Sequence, residues 1–452
     1  MQKQWKDMQD GLLARMSEAL ESEACGSIDE VIELLEVTNN GKVIQSLNNC
    51  RTVLLRDPLL HMAIRRNELT CMTDIVRKMP WKRRGVSITD TDVGEIRLYL
   101  EKNYHLYNEK NIRTAIDIVA SQNSYHPIRD YLESLVWDGT PRMNRLMQKY
   151  LGADDDDYTR EVIRILLLGA IHRIYEPGCK FELMICLVGG QGAGKSTFFR
   201  FLAMKDEWFS DDLRRLDDDN VFRKLLGHWI IELSEMTATA NARSIEEIKS
   251  FISRQKETYK VPYERNPEDR PRQCIFVGTS NNLDFLPLDR TGNRRFIPVL
   301  IHPERIEKHL LEDEAAARKY IEQCWAECFC IYRSGKFSLR FSEESESRLR
   351  EMQIEFMPED SKVGIIQNWL DHYDGDYVCS MMIYREALGH DGQEPKLWET
   401  REIAQIMNQS VTGWERLSSH RFKDYGIQRA WKRITERDGF VPMAEDETTP
   451  FS

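Results

Sequence analysis

The stretch 187-LVGGQGAGKSTFFRFL-202 sets four glycines, a lysine and two hydroxyls between two apolar runs. Gly189, Gly190, Gln191, Gly192, Ala193, Gly194, Lys195 and Ser196 fit the pattern G-x-x-x-x-G-K-[ST], and Thr197 continues it. The surroundings agree with the motif. MICLV before it reads as a buried strand, and TFFRFL after it reads as the start of a helix. Glycines allow backbone angles that aim successive N–H groups at phosphate oxygens, and the helix start adds partial positive charge. Lys195 is expected to bridge the β- and γ-phosphates of ATP, and Ser196 to hold Mg²⁺.

A phosphate loop does not name a reaction by itself, so the neighbouring strand ends have to decide. The next apolar run, 228-HWIIELSEM-236, ends in Glu232, with Glu235 a turn later. Two carboxylates there can divide the work: one holds the metal through water, the other orients and deprotonates the attacking water. One of them can equally cap the next helix. The run 274-CIFVGTSNN-282 closes on Asn281 and Asn282, amides able to position a water or touch the γ-phosphate, or simply to start a turn. In 289-DRTGNRRFIPVL-300, Arg294 and Arg295 open a strand. A guanidinium there can stabilise the transferring phosphoryl, often from a neighbouring subunit; the alternative is a surface pair beside an edge strand. This order of parts favours an ATP-driven motor. A guanine-reading N-K-x-D motif is missing, and a nucleoside kinase would want a mobile arginine-rich lid soon after the acidic strand and no separate polar strand end.

Outward from the motif, the texture from Phe181 to about residue 300 alternates short apolar runs with helical segments, the pattern of an α/β sheet. At 452 residues, two to four domains are expected. The sequence divides into a helical N-terminal region at 1–135, a helical lead-in at 136–180, the core at 181–340 and a small, mostly helical C-terminal domain at 341–452. Trp5 to Leu20 has amphipathic spacing, a second helix is expected to about Leu35, and WDGTPR (Trp137 to Arg142) is a turn cluster. Asp154 to Asp157 read as the start of a helix running through Val162 to Ile174, favoured there by the macrodipole. No apolar run reaches membrane-spanning length, the N-terminus lacks a signal-peptide core, and ten scattered cysteines suit a reducing cytoplasm. Cys324, Cys328 and Cys330 have no histidine neighbour and read as core packing of a helix.

The net charge of −11 requires any nucleic-acid surface to be local. One candidate is 254–273, a hairpin-like insertion carrying Arg254, Lys256, Lys260, Arg265, Arg270 and Arg272 with Tyr259 and Tyr263, its turn signalled by Asn266 to Asp269. Four acids among those bases leave a solvated mixed-charge hairpin as the alternative. The other is 414–433, where Arg416, Arg421, Lys423, Arg429, Lys432 and Arg433 interleave with Trp414, Phe422, Tyr425 and Trp431. It suits a winged-helix-like DNA contact, or else an amphipathic helix with its aromatics turned inward.

With these residues in view, the chain resembles the virulence-associated protein E family of phages and prophages, P-loop ATPases related to superfamily 3 helicases of the AAA+ class. HPIRDYLESLVWDGTPR (His126 to Arg142), GGQGAGKST, WIIELSEM, the TSNN strand end, DRTGNRRF and YGIQRAWKR (Tyr425 to Arg433) carry the resemblance over the last three quarters of the chain. It implies an AAA+ type core and a DNA-dependent ATPase, a replicative helicase acting as a ring, most simply a hexamer, on single-stranded or forked DNA in the cytoplasm of a bacterial host. Carried over by motif, Lys195 and Ser196 belong to the phosphate loop, Glu232 and Glu235 to the acidic motif, Asn281 or Asn282 to the sensor, and Arg295 is the finger with Arg294 beside it. Many relatives carry an N-terminal primase–polymerase; residues 1 to about 125 lack its paired-carboxylate strands, so a separate primase is the expected partner. The competing function is a nucleotide-switched assembly factor that hydrolyses ATP slowly and unwinds nothing.

Overall fold

The short run Ile64-Arg65-Arg66-Asn67 begins the first departure from the helical expectation. It forms β1 (Ile64–Asn67), which pairs antiparallel with β2 (Met72–Ile75), Ile64 opposite Ile75. Around this hairpin, helices Leu47–Arg56, Asp90–Tyr104 and Glu109–Gln122 enclose a core that includes Val53, Leu54, Ile96, Leu100, Ile116 and Val119. The second helix expected in this region is a short one, Ile28–Glu33, capped by Ser27. Asp57 is fully buried and accepts hydrogen bonds from the hydroxyls of Tyr99 (2.9 Å) and Tyr104 (2.6 Å). The computed structural model describes residues 24–213, 221–234, 242–259, 268–286, 293–358 and 360–434, so the amphipathic stretch Trp5 to Leu20 lies outside the described residues.

The chain divides into two compact units, Met1–Phe285 with Arg294–Phe356, and Leu286–Asn293 with Met357–Ser452. The first unit holds a five-stranded sheet built from β3 (Met184–Val188), β4 (Phe209–Ser210), β5 (Ile230–Leu233), β8 (Ile275–Ser280) and β9 (Phe296–Leu300). Its order is β4-β5-β8-β3-β9, and every pair is parallel. The strands read as continuous apolar runs because helices cover both faces of such a sheet. Between β5 and β8 the chain forms helix Ala242–Ser253 and a separate antiparallel hairpin, β6 (Lys256–Tyr259) with β7 (Glu268–Pro271). The insertion is thus a hairpin, although β7 already begins inside the expected turn Asn266 to Asp269.

Asp156 caps helix Asp157–Tyr175, accepting from the Thr159 amide at 2.8 Å, as the acid run suggests. That helix is buried along most of its length, and the Trp229 indole N–H donates to its Ala170 carbonyl. Trp229 stacks on Trp325 of helix Glu314–Arg333 at 4.3 Å between ring centroids. The WDGTPR turn is tied to the same helix: buried Glu327 accepts from the amides of Arg142 (2.7 Å) and Met143 (2.9 Å). Cys324 and Cys328 are buried in that helix, while Cys330 is exposed. Among the described residues no cluster of His, Cys, Asp or Glu suits a metal on its own, and no helix is long and apolar enough to cross a membrane. Helix Glu343–Glu355 also belongs to this first unit, where Gln353 donates to the Phe296 carbonyl at 2.8 Å.

In the second unit, helices Ser361–Asp371 and Leu397–Gln409 pack on a three-stranded antiparallel sheet of order β10-β12-β11, made of β10 (Tyr377–Cys379), β11 (Trp414–Phe422) and β12 (Gly426–Arg433). The segment 414–433 is therefore a hairpin, which removes the amphipathic-helix alternative. Trp414 and Trp431 are buried in the core with Ile366, Val378 and Ile406, so the aromatics do turn inward, but from strands.

Candidate nucleotide site

The phosphate loop leaves β3 at its carboxyl end and enters helix Lys195–Leu202. Gly192 and Gly194 hold φ of 81° and 78°, the left-handed region where side chains are strained. Gly189 has no room for a side chain: a Cβ there would lie 2.5 Å from Ile301 Cγ1. Lys195 is buried, and its ammonium donates to the carbonyls of Gly189 (2.7 Å) and Gly190 (2.8 Å) and to Asn281 Oδ1 (2.9 Å). Burial draws its pKa below the ordinary lysine value, while the Glu232 carboxylate acts in the opposite direction.

Glu232 lies on β5 at 0% exposure. Its Oε1 accepts from Ser196 Oγ at 2.7 Å and from Thr279 Oγ1 at 2.6 Å. Its Oε2 is buried and has no hydrogen-bond partner. A buried carboxylate oxygen left open costs free energy unless something completes it. Beside the Ser196 hydroxyl it supplies the hard oxygen donors that suit Mg²⁺, a cation that keeps several waters and takes further oxygens from substrate phosphates. The residues present fit that ion.

Lys195, Ser196, Thr279 and Asn281 line a cavity of about 450 Å³. One wall is the loop from Gln191 to Thr197 with Ser234, Thr279 and Asn281; the other is Tyr150, Ile306, His309, Leu310 and Leu311. Asn282 points elsewhere: it is exposed, its amide donates to Ser280 Oγ at 3.1 Å, and it does not line the cavity. Glu235 lies outside the described residues. Sequence reasoning passed over Thr279 and the second wall. Thr279 had a usable signal, because it is a hydroxyl near the end of an apolar strand, two residues before Asn281. The wall comes from the lead-in segment and from the chain after β9, and has no motif.

Arg294 and Arg295 stand at the opposite edge of the sheet. β9 pairs with β3 in parallel, Met184 opposite Phe296 and Val188 opposite Leu300, so the arginines precede the strand whose far end meets the phosphate-loop edge. The Arg295 side chain is only 20% exposed; its Nε donates to Ser253 Oγ at 2.8 Å and lies 3.6 Å from Glu182 Oε2. Arg294 is 72% exposed, with one loose contact to Glu182 at 3.8 Å. Of the two candidates for a finger, Arg295 is thus occupied inside its own chain, while Arg294 is the one that reaches outward.

The β6–β7 hairpin rises from the same edge as these arginines. Lys256 is exposed and ion-paired with Asp269. Arg270, expected to contact DNA, is buried at 9% exposure and cannot meet an external strand in this conformation. Arg272 is buried too, bound to Glu257 and to the Phe251 carbonyl. Lys260 and Arg265 lie outside the described residues. On β12, Arg429 is exposed and Lys432 is half-buried opposite Glu415.

A family model for the virulence-associated protein E-like domain matches residues 132–358, half of the chain, and ends two residues after the first unit does. No curated protein matches the sequence. Among solved structures, an apo A form of the NrS-1 C-terminal region is 13% identical, with a TM-score of 0.46 over 86% of this chain and all of that one. A second apo A form of the same region, also 13% identical, has a TM-score of 0.45 over 82% of this chain and 96% of that one.

Proposed function

The chain belongs to the virulence-associated protein E-like family, and from that premise we propose that it is an ATP-hydrolysing DNA helicase or translocase of phage or mobile-element replication, with an AAA+ type core that works as an oligomeric ring. One observation carries the reading: Ser196 and Thr279 converge on the single buried carboxylate of Glu232, with Lys195 and Asn281 joined beside them. β8 lies between β3 and β5, which sets Asn281 and Thr279 between the phosphate loop and the acidic strand. An amide there can orient a water for in-line attack on the γ-phosphate. Mg²⁺ held by Ser196 and Glu232 would neutralise charge on the β- and γ-phosphates. Lys195 orients the phosphates, and Glu232 keeps the Ser196 hydroxyl turned toward them.

Arg294 and Arg295 do not reach this site within their own chain. A five-residue strand spans about 16 Å, beyond the reach of a side chain from one edge of the sheet to the other. Arg294 is therefore proposed to serve the site of the adjacent copy, which makes the ring a requirement of turnover. DNA contacts are assigned to the β6–β7 hairpin, through Lys256, Lys260 and Arg265, and to the second unit, through Arg429 and Lys432. That unit runs helix, strand, helix, helix, strand, strand, an order that supports the winged-helix-like reading.

Strand displacement on a forked duplex tests the proposal. ATP-dependent opening by the wild-type chain, lost in Lys195→Ala, is the expected result. Hydrolysis that persists without opening any substrate would leave the slow, nucleotide-switched assembly factor standing instead. Hydrolysis indifferent to both DNA and protein concentration would point to a small-molecule phosphotransferase.

A further inference from the structure

The amino edge of the sheet brings together two features that the reading above uses separately: the outward arginine and the root of the β6–β7 hairpin. A single carboxylate, Glu182, joins them. Its side chain is 19% exposed and stands just before β3. Oε1 faces Arg294 Nη2 at 3.8 Å and Lys180 Nζ at 3.7 Å. Oε2 lies 3.1 Å from Ser253 Oγ and 3.6 Å from Arg295 Nε. Ser253 is the last residue of helix Ala242–Ser253, three residues before the start of β6. Its hydroxyl accepts from Arg295 Nε and can donate to Glu182 or to the Lys249 carbonyl.

From that helix end the connection runs into both strands of the hairpin. Arg272, just past β7, donates to the Phe251 carbonyl and grips Glu257 of β6 with two nitrogens. Its amide donates to the Gln255 carbonyl at 2.9 Å. Glu257 also takes Arg254 Nη1 at 3.7 Å. The hairpin root and Glu182 are thus both anchored on the last turn of the same helix, the one through Arg272 on the Phe251 carbonyl and the other through Ser253 Oγ. A tilt of the hairpin moves Ser253, and Ser253 shares its oxygen with the group that holds Arg295 and faces Arg294.

We propose that Glu182 is a positioning residue that couples nucleic acid on the β6–β7 hairpin to the placement of Arg294 in the neighbouring copy's nucleotide site. The coupling rests on the proposed function, since it presumes both the DNA-gripping hairpin and the finger in trans. Glu182 touches no phosphate: the phosphate loop starts at the other end of β3. Its loss therefore leaves the affinity for ATP alone and acts on turnover.

The test compares the ATPase of full-length wild type, Glu182→Gln, Glu182→Asp and Arg294→Ala, with and without a single-stranded oligodeoxynucleotide. Melting temperature, KM for ATP and oligonucleotide affinity are measured alongside. Expected is a DNA-stimulated kcat in Glu182→Gln about tenfold below wild type, with KM and both affinities within about twofold, the scale of single substitutions along coupled networks. Glu182→Asp, which keeps the charge, recovers part of the stimulation. A purely structural role would lower the melting temperature of both variants and leave the ratio of stimulated to unstimulated kcat intact, and that outcome overturns the proposal. The same ratio in Glu182→Gln as in wild type, with Arg294→Ala inactive, overturns the coupling and leaves the ring motor standing. Full turnover in Arg294→Ala, or no stimulation in wild type, overturns both.

Discussion

A carboxylate with no exposed surface is costly unless hydrogen bonds or a cation repay its desolvation, and Glu232 is only half repaid by protein. Oε1 satisfies two hydroxyls; Oε2 has no hydrogen-bond partner among the described residues. Glu232→Gln keeps the shape and an oxygen for Ser196 and Thr279 while removing the charge. The variant should fold and bind ATP, and hydrolyse it about 10²-fold more slowly or less, the range seen when one electrostatic partner of a reaction centre is lost; a steady-state assay beside a fluorescent-nucleotide titration separates the two effects. The arginines divide in the same way. Arg294→Ala should cut turnover by about 10³ with no change in melting temperature. Arg295→Ala should lower the melting temperature, because it leaves Ser253 and Glu182 without their inward donor. At this scale the sequence was readable wherever a spacing carried chemistry, as for Lys195, Ser196 and Glu232. It was not readable where partners meet only through the fold: nothing in 289-DRTGNRRF-296 distinguishes the arginine that packs from the one that reaches out.

Elements were legible when their period was unbroken. MICLV, WII and CIFVG became parallel strands because burial on both faces demands apolar runs. β11 hid because its register shifts between Leu417 and His420, so residues before and after the irregularity no longer alternate in phase. β1 hid for another reason: four residues with two consecutive arginines show no alternation, and the strand is evident only from its antiparallel pairing with β2. Helix Pro127–Ser134 shows what its sequence signature is for. His126 caps it, and Nε2 meets Gln273 Oε1 at 2.7 Å, while Gln273 donates to the Glu68 carbonyl. That one amide ties the N-terminal hairpin to the start of β8. Burial holds the His126 pKa below its ordinary 6.5, against the opposing pull of the Gln273 hydrogen bond. The unfolded chain then takes up this proton before the folded one does, so the histidine's contribution is complete above pH 6.5 and declines as the pH falls through the folded value. Melting curves of wild type and His126→Gln, which keeps a polar side chain but cannot titrate, should converge as the pH is lowered from 7.5 toward 5.5; parallel curves would remove the histidine from the acid response.

At the scale of the whole molecule, the sheet sets the phosphate loop and the outward arginine on opposite edges. The phosphate loop, Glu232 and Asn281 occupy the carboxyl edge, and the outward Arg294 occupies the amino edge beside the hairpin. With about one strand length between them, Arg294 does not reach its own copy's phosphate loop, whereas a head-to-tail ring would join every pair, since heterologous contacts whose rotation closes form rings. The net charge of −11 fits the same geometry, because a ring needs cations only on the surfaces that line its channel. The decisive prediction concerns two inactive proteins. Lys195→Ala removes the nucleotide lysine but keeps a sound Arg294; Arg294→Ala does the reverse. Mixed in equal amounts and allowed to exchange subunits, about a quarter of the interfaces would pair an intact phosphate loop with an intact arginine, and ATPase activity should return to roughly that fraction of wild type. Activity should also rise with total protein concentration, as ring assembly becomes favourable. If the mixture stays as inactive as its parts while both variants still assemble with wild type, the arginine serves no neighbour's phosphates, and the ring is no part of the chemistry.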